Sequence, residues 1–307
     1  MRIVFMGTPQ FAVPALKDLA PHLVAVVTQP DRRRGRGHRL QPSAVKEAAL
    51  ELGLPILQPH KVKDEQFLVK LQGLKPDLIV VVAFGQILPP ELLAIPPQGC
   101  INLHASLLPR LRGAAPIQRA IMNGDTVTGV TTMYMAEGLD TGDIILQEEE
   151  NVLSDDTSGT LSLRLAQKGA DLLKRTIKAI KSGDAPRSPQ DDSLASWAPP
   201  LAREDEILNW ELPASRIANQ IRALNPKPGA ATFVAGKRLK IWRAQKVTQD
   251  CSADPGKVLK VQGDDGILVS CGEDALLVQE VQPAGKRSMS AQSYACGYRV
   301  QPGDVWG

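Results

Sequence analysis

Long apolar runs are missing from this chain of 307 residues: no stretch approaches the roughly 18 residues that a membrane-spanning helix needs. The opening residues Arg2-Ile3-Val4-Phe5 read as a core strand, without the longer apolar stretch and small-residue cleavage site of a signal peptide, so a cytoplasmic protein is expected. Cysteine is scarce, and Cys100, Cys251, Cys271 and Cys296 are scattered with no C-x-x-C among them. That spacing argues against a zinc site or a disulfide framework and for buried free thiols. Of the four histidines, His22, His38 and His60 lie in contexts unlike that of His104 and suggest no metal cluster, so no metal is expected. Nucleotide-binding signatures are absent as well. After Gly7-Thr8-Pro9 no G-x-G-x-x-G follows, and Pro9 removes a backbone N–H that a phosphate site would use. Gly35-Arg36-Gly37 lacks the spacing of a P-loop. There is no internal repeat.

What is present is an ordinary globular composition, 43% hydrophobic and 22% charged, in a chain long enough for two domains. Strand-like and helix-like segments alternate through the first part. Strands are expected at Arg2–Met6, Leu23–Thr28, Asp77–Ala83, Cys100–His104, Gly129–Met135 and Ile144–Glu149. Helices are expected at Phe11–Leu19, Ser43–Leu52, Ala115–Asn123 and Thr157–Lys181, the last introduced by the capping cluster Ser154-Asp155-Asp156-Thr157. The continuous apolar run Leu78-Ile79-Val80-Val81-Val82 fits a strand covered on both faces. This pattern predicts an α/β fold with a doubly wound, mostly parallel sheet. Ser182–Pro200 is aperiodic and rich in Ser, Pro, Asp and Gly, as a linker would be. A short helix at Ala214–Leu224 and β-like runs at Leu239–Trp242, Lys257–Val261, Gly266–Ser270 and Ala275–Val281 then suggest a small five-stranded, OB-like barrel. The expected division is a first domain over residues 1–188, a linker over 189–206 and a barrel over 207–307.

Net charge is only +3, but its distribution is uneven. No acidic residue falls between Glu211 and Asp250, whereas Arg216, Arg222, Lys227, Lys237, Arg238, Lys240, Arg243 and Lys246 all do. Upstream, Arg32, Arg33, Arg34, Arg36 and Arg39 crowd a second segment. A single charge run is usually a solvated face. Two such tracts fit contacts with the phosphates of a polyanion better.

Asn102 and His104, two apart on a strand, emerge on one face at its end, and Gly138-Leu139-Asp140-Thr141-Gly142-Asp143 is a turn that would hold a carboxylate in a loop. Singly, each has a bland reading: a polar residue closing a strand, a hydrogen-bonded core histidine, a turn former. Together an amide, an imidazole and a carboxylate suit acyl transfer, with donors for an oxyanion and a group to manage protons.

The run Ser106-Leu107-Leu108-Pro109-Arg110-Leu111-Arg112-Gly113-Ala114-Ala115-Pro116-Ile117-Gln118 follows Asn102-x-His104 and precedes Leu139-Asp140-Thr141-Gly142-Asp143. In this it resembles the folate-dependent formyltransferases, most of all their branch acting on methionyl-tRNA. The likeness extends from Met1-Arg2-Ile3-Val4-Phe5-Met6-Gly7-Thr8-Pro9 to Pro283-Ala284-Gly285-Lys286-Arg287-Ser288-Met289-Ser290-Ala291. It implies that the α-amino group of initiator methionyl-tRNA attacks the formyl carbon of 10-formyltetrahydrofolate. Asn102 and His104 would donate hydrogen bonds to the oxyanion, while Asp140 would favour a charged His104 and help carry the amine proton away. Ser106, Leu107, Leu108 and Pro109 would lie against the folate, and Val82–Pro89, with Phe84, Gly85 and Ile87, would form a wall beside its pterin. The likeness also implies that Gln29–Ser43 contacts the tRNA acceptor end, with Arg36 matching the family's key arginine and Arg32, Arg33, Arg34 and Arg39 beside it. The barrel would track the phosphate backbone through Lys237, Arg238, Lys240 and Arg243. A monomer without membrane contact is expected.

Two departures stand out: Arg33 and Arg34 occupy positions where Pro and Ala are expected, and Lys227 stands where an aromatic is expected. Three alternatives share part of the pattern. A formyltransferase acting on an amino-sugar nucleotide or on glycinamide ribonucleotide would need neither basic tract, a formyltetrahydrofolate hydrolase would use water as acceptor, and a nucleic-acid-binding module would not need Asn102, His104 and Asp140.

Overall fold

The apolar runs become the strands of one seven-stranded sheet. In the computed structural model, which describes residues 1–34, 39–249 and 253–307, its order is Ile144–Asn151, Val127–Tyr134, Cys100–His104, Leu78–Val82, Ile3–Gly7, Leu23–Val27 and Ile56–Leu57. The last five of these are mutually parallel, and Val127–Tyr134 runs antiparallel to both of its neighbours. Every residue of Leu78–Val82 is buried, which is why that run shows no alternation. One face, with Val4, Met6, Ile79 and Val81, packs with Phe67 and Leu71 of helix Glu65–Gly73. On the other, Gly169 lets helix Ser158–Ser182 approach closely, because a Cβ there would stand 2.6 Å from Leu103 Cδ2.

Topology locates the ligand side of the sheet. From Ile3–Gly7 the chain builds outward to Leu23–Val27 and Ile56–Leu57, then returns to Leu78–Val82 on the opposite flank of Ile3–Gly7. In sheets of this kind ligands bind beyond the carboxyl ends at such a reversal. Gly7 ends its strand so close to its neighbour that a Cβ would lie 2.9 Å from Ala12 Cβ and 3.1 Å from Val82 O. Thr8 Oγ1 donates to Phe84 O at 2.9 Å and ties the two strand ends together. The glycine therefore serves close packing.

Most expected helices are present with boundaries moved by a residue or so. Ser43 caps helix Ala44–Glu51, its Oγ accepting from Lys46 N at 3.0 Å. The helix expected at Phe11–Leu19 begins as a 3₁₀ turn, Gln10–Ala12, and continues as Val13–Leu19. The linker reading of Ser182–Pro200 does not hold throughout. Ser188 bridges Ile144, and Trp197–Ala198 pairs with Arg112–Gly113, so much of the segment is bound to the first unit. It carries no periodicity because single hydrogen bonds, not a buried stripe, hold it. The expectation of buried thiols holds for Cys100 and Cys271, whereas Cys296 is exposed because it follows the buried face of helix Ala291–Tyr298. Cys251 lies outside the described residues.

The first compact unit comprises residues 1–116, 127–151 and 162–198, and the second residues 117–126, 152–161 and 199–307. In the second unit five antiparallel strands follow the order Ala230–Val234, Lys237–Val247, Ala275–Pro283, Ile267–Ser270 and Val258–Val261. Its two edges are linked by the last residues of the chain, where Val305 bridges Lys257 and Trp306 bridges Val234. Inside lie Leu239, Ile241, Val278, Trp306 and the apolar side of helix Ala214–Ala223. This is the expected barrel-like unit. Among the described residues, no helix is long and apolar enough to cross a membrane.

Candidate active site

Strand Cys100–His104 brings Asn102 and His104 to the ligand end of the sheet, and both side chains meet Asp140. Asn102 Nδ2 lies 3.5 Å from Asp140 Oδ1, and His104 Nδ1 lies 3.6 Å from Asp140 Oδ2. Three residues read from the sequence as one cluster are thus together, the histidine buried and Asp140 nearly so. Asp140 stands at φ 54°, in the left-handed region that Asp tolerates better than most residues. Its Oδ2 also accepts from Gly113 N at 2.9 Å. Gly113 has φ 124°, and a Cβ there would lie 2.6 Å from Ala198 O, so this approach requires glycine.

The imidazole is oriented from behind. Its Nε2 lies 2.9 Å from Leu111 O, and a carbonyl only accepts, so Nε2 carries a hydrogen and Nδ1 is the nitrogen turned towards Asp140. Leu111, itself at φ 58°, donates its N–H to Ser196 Oγ at 2.9 Å. Ser196 belongs to the segment read as a linker.

The Ser106–Pro109 loop is fastened from the sheet. Thr131 Oγ1 donates to Ser106 O at 2.6 Å and accepts from Leu108 N at 3.1 Å and Gln147 Nε2 at 2.9 Å. Ser106 Oγ is spent on Arg110 O at 2.6 Å, and Ser106 and Leu108 are buried. Leu107 and Pro109 remain half-buried. Thr131 could have been found as a polar residue inside an apolar strand; Gln147 and Ser196 carry no such signal.

The turn after Leu78–Val82 is shaped by Ala83 at φ 47° and Gly85 at φ 82°. Gln29 Nε2 donates to Phe84 O at 3.0 Å and Gly85 O at 3.1 Å. Phe84 is in the core and offers a ligand only its backbone, whereas Ile87 is 87% exposed. Leu139, beside Asp140, is also exposed. Apolar side chains left in water next to backbone polar groups suit a flat heteroaromatic ligand such as a pterin.

The basic segment is a short hairpin, Arg32–Arg34 paired with Arg39–Gln41. Arg32 and Arg33 are exposed, and Arg32 donates to Gln29 Oε1. Arg36 and the side chains of Arg34 and Arg39 lie outside the described residues. Beside the hairpin, a pocket of about 330 Å³ is lined by Gln29, Pro30, Asp31, Arg32, His60, Gly85 and Gln86. Hydrogen bonds from Lys46 and then Gln58 hold the Asp31 carboxyl below the usual carboxylate range.

In the second unit, Lys237 and Arg243 are exposed. Lys240 Nζ donates to Pro228 O at 2.5 Å and lies 5.4 Å from the Trp242 ring centre. Arg238 is engaged by Glu206, an acid outside the acid-free stretch. The basic surface is therefore narrower than the sequence implied.

Comparison with known proteins identifies the family and the fold. The formyl transferase family matches residues 1–177, and the C-terminal domain of formyl transferases matches residues 200–299. The methionyl-tRNA formyltransferase of Moorella thermoacetica is 54% identical over 100% of this chain and 99% of its own length. That of Pelotomaculum thermopropionicum is 51% identical over 100% and 99%. Among solved structures, the N-formyltransferase from Helicobacter canadensis, in complex with folinic acid and dTDP-3-aminofucose, superposes with a TM-score of 0.65. It is 18% identical and aligns over 90% of this chain and 98% of its own, a likeness of fold. With full-length identity above one half and an amide, imidazole and carboxylate assembled at the sheet end, this chain belongs to the methionyl-tRNA formyltransferase family.

Proposed function

We propose that this protein transfers the formyl group of 10-formyltetrahydrofolate to the α-amino group of initiator methionyl-tRNA, with Asn102, His104 and Asp140 at the reacting atoms. The observation that carries the reading is that Asn102 and His104 both meet the Asp140 carboxylate, at 3.5 and 3.6 Å, at the carboxyl end of the sheet. The donor supplies an activated formyl group; the chain supplies position, hydrogen bonds and proton handling. Among the described residues the Asn102 amide donates only over a long 3.5 Å contact to Asp140, which leaves its N–H groups for the formyl oxygen as negative charge develops there. His104 has committed its Nε2–H to Leu111 O, so Nδ1, on the Asp140 side, accepts a proton in the neutral ring and offers a hydrogen only once it has taken one. As the new C–N bond forms and the bond to N10 breaks, the amine loses one proton and N10 gains one. The His104–Asp140 pair is placed to receive the first.

In the same reading Leu107, Pro109, Ile87 and the backbone of Phe84 and Gly85 border the folate, while Ser106 and Leu108 hold the loop's shape. The exposed Arg32 and Arg33 contact the acceptor end, and the same role is proposed for Arg34, Arg36 and Arg39 from their place in the segment. Lys237, Lys240 and Arg243 contact phosphates, with Arg238 contributing less. Residues 1–188 form the catalytic part and residues 207–307 the tRNA-binding part of a monomeric cytoplasmic enzyme.

The test is formylation of charged initiator methionyl-tRNA by the purified chain with 10-formyltetrahydrofolate, read as formyl-methionine after ester hydrolysis. Elongator methionyl-tRNA and an amino-sugar nucleotide run in parallel. Formylation of the initiator alone supports the reading. Formylation of the sugar, or release of tetrahydrofolate without tRNA product, refutes the proposed acceptor.

A further inference from the structure

We infer that Gln190 is a positioning residue for the transfer, locking the loop that carries Asp140 at the distance the reaction needs. The inference rests on the proposed role of Asp140. Gln190 lies in the aperiodic segment after helix Ser158–Ser182, and its side chain reaches the site. Its Nε2 donates to Asp140 O at 2.8 Å and to Gly142 O at 2.8 Å, bracketing Thr141. Its Oε1 accepts from Arg112 Nε at 3.0 Å and Arg112 Nη2 at 2.8 Å.

The amide orientation follows from these partners. A guanidinium only donates, so the oxygen of Gln190 must face Arg112 and its NH₂ must face the two carbonyls. Arg112 is 3% exposed, and its Nη2 also donates to Asp192 Oδ1 at 2.8 Å, so the clamp rests on an anchored charge. Arg112 immediately precedes Gly113, whose N–H holds the Asp140 carboxylate. Two connected contacts thus fix Asp140 at both ends: Gln190 its backbone, Gly113 its side chain.

The need for a clamp is local. Asp140 sits at φ 54°, a conformation that an isolated turn leaves readily. Without Gln190 the carbonyls of Asp140 and Gly142 have solvent as an alternative partner, and the loop is free to relax away from Asn102 and His104. A displacement of about 1 Å at a catalytic group costs on the order of 10²-fold in rate.

The experiment measures kcat, KM for the folate donor, KM for tRNA and thermal unfolding for Gln190→Ala, Gln190→Glu, Asp140→Ala and the Gln190→Ala/Asp140→Ala pair, all in the full chain. Gln190→Glu keeps the acceptor for Arg112 but replaces both donations with a carboxylate facing carbonyls. It therefore breaks the clamp on the Asp140 loop while retaining the buried partner of Arg112. Expected results are a 10- to 100-fold fall in kcat for both Gln190 variants, KM values within about twofold, and no further loss when Gln190→Ala is added to Asp140→Ala. Native kcat in Gln190→Glu overturns the inference, as do losses that multiply in the pair. Should Gln190→Ala unfold, Gln190→Glu decides by itself. If Asp140→Ala retains full activity, the proposed role of Asp140 fails first, a result distinct from failure of the clamp.

Discussion

Gly142→Ala tests how tightly the reaction depends on the loop that carries Asp140. Gly142 is buried, and its backbone is not in the left-handed region, so the case against alanine is one of space. A Cβ there would lie inside the Tyr134 carbonyl, 2.8 Å from its carbon and closer still to its oxygen, and 3.4 Å from Ala136 N. All are main-chain atoms, and the Tyr134 N–H is itself bound to Asp143 O at 2.9 Å. No side chain can turn aside to make room. Relief requires movement of the loop by about 1–2 Å, and because Gln190 ties Gly142 O to Asp140 O, the carboxylate travels with it. The expected consequence is a fall in kcat on the order of 10²-fold. The loop is short and partly exposed, so the loss of thermal stability should be modest.

Steady-state formylation with donor and tRNA varied separately, together with a melting curve, reads both effects. Gly73→Ala is the control: it ends helix Glu65–Gly73, nothing stands within 4 Å of its Cβ, and its φ is ordinary. It should leave kcat unchanged and stabilise the fold by up to about 1 kcal/mol. Native kcat in Gly142→Ala would refute the reasoning, since the loop would then have moved without cost to the chemistry.

Asn102→Ala and His104→Ala should each lower kcat on the order of 10²–10³-fold while tRNA affinity, measured by filter binding, changes little; equal losses in both would remove the assigned roles. Arg243→Ala should reduce the slope of log affinity for tRNA against log salt by about one, and Arg238→Ala, already engaged by Glu206, by clearly less. Burial pushes the Cys100 thiol up to about 12, so a thiol reagent followed by peptide mapping should label exposed Cys296 in the native protein and Cys100 only after unfolding. Hydrogen bonds from Arg119 hold the Asp205 carboxyl below its ordinary value, so the stability it contributes is present above about pH 4 and lost as pH falls through the lowered value. Asp205→Asn should therefore lower the melting temperature at pH 7 more than at pH 2.

What the sequence disclosed and what it hid follow from how each contact is made. Strand Leu78–Val82 was legible because burial on both faces leaves an unbroken apolar run. Asn102 and His104 were legible because the period of a strand places alternate side chains on one face, and Asp140 because a Gly- and Asp-rich turn announces itself. Gln190 was not legible. Its partners Asp140 and Arg112 lie 50 and 78 residues away, and a clamp made of single hydrogen bonds leaves no periodic trace. The same limit explains Ser196 and the misreading of Ser182–Pro200 as a linker, since low periodicity is shared by free segments and by segments fastened at isolated points. Charge was legible in sign but not in availability. The stretch after Glu211 contains no acid, yet Arg238 finds Glu206 just before it and Lys246 finds Asp274 well after it. A basic tract read along the chain is therefore an upper bound on the cations a polyanion can meet. If Arg238→Ala and Arg243→Ala reduced the salt slope equally, the pairing with Glu206 would be too weak in solution to matter, and the one-dimensional count would be the better guide.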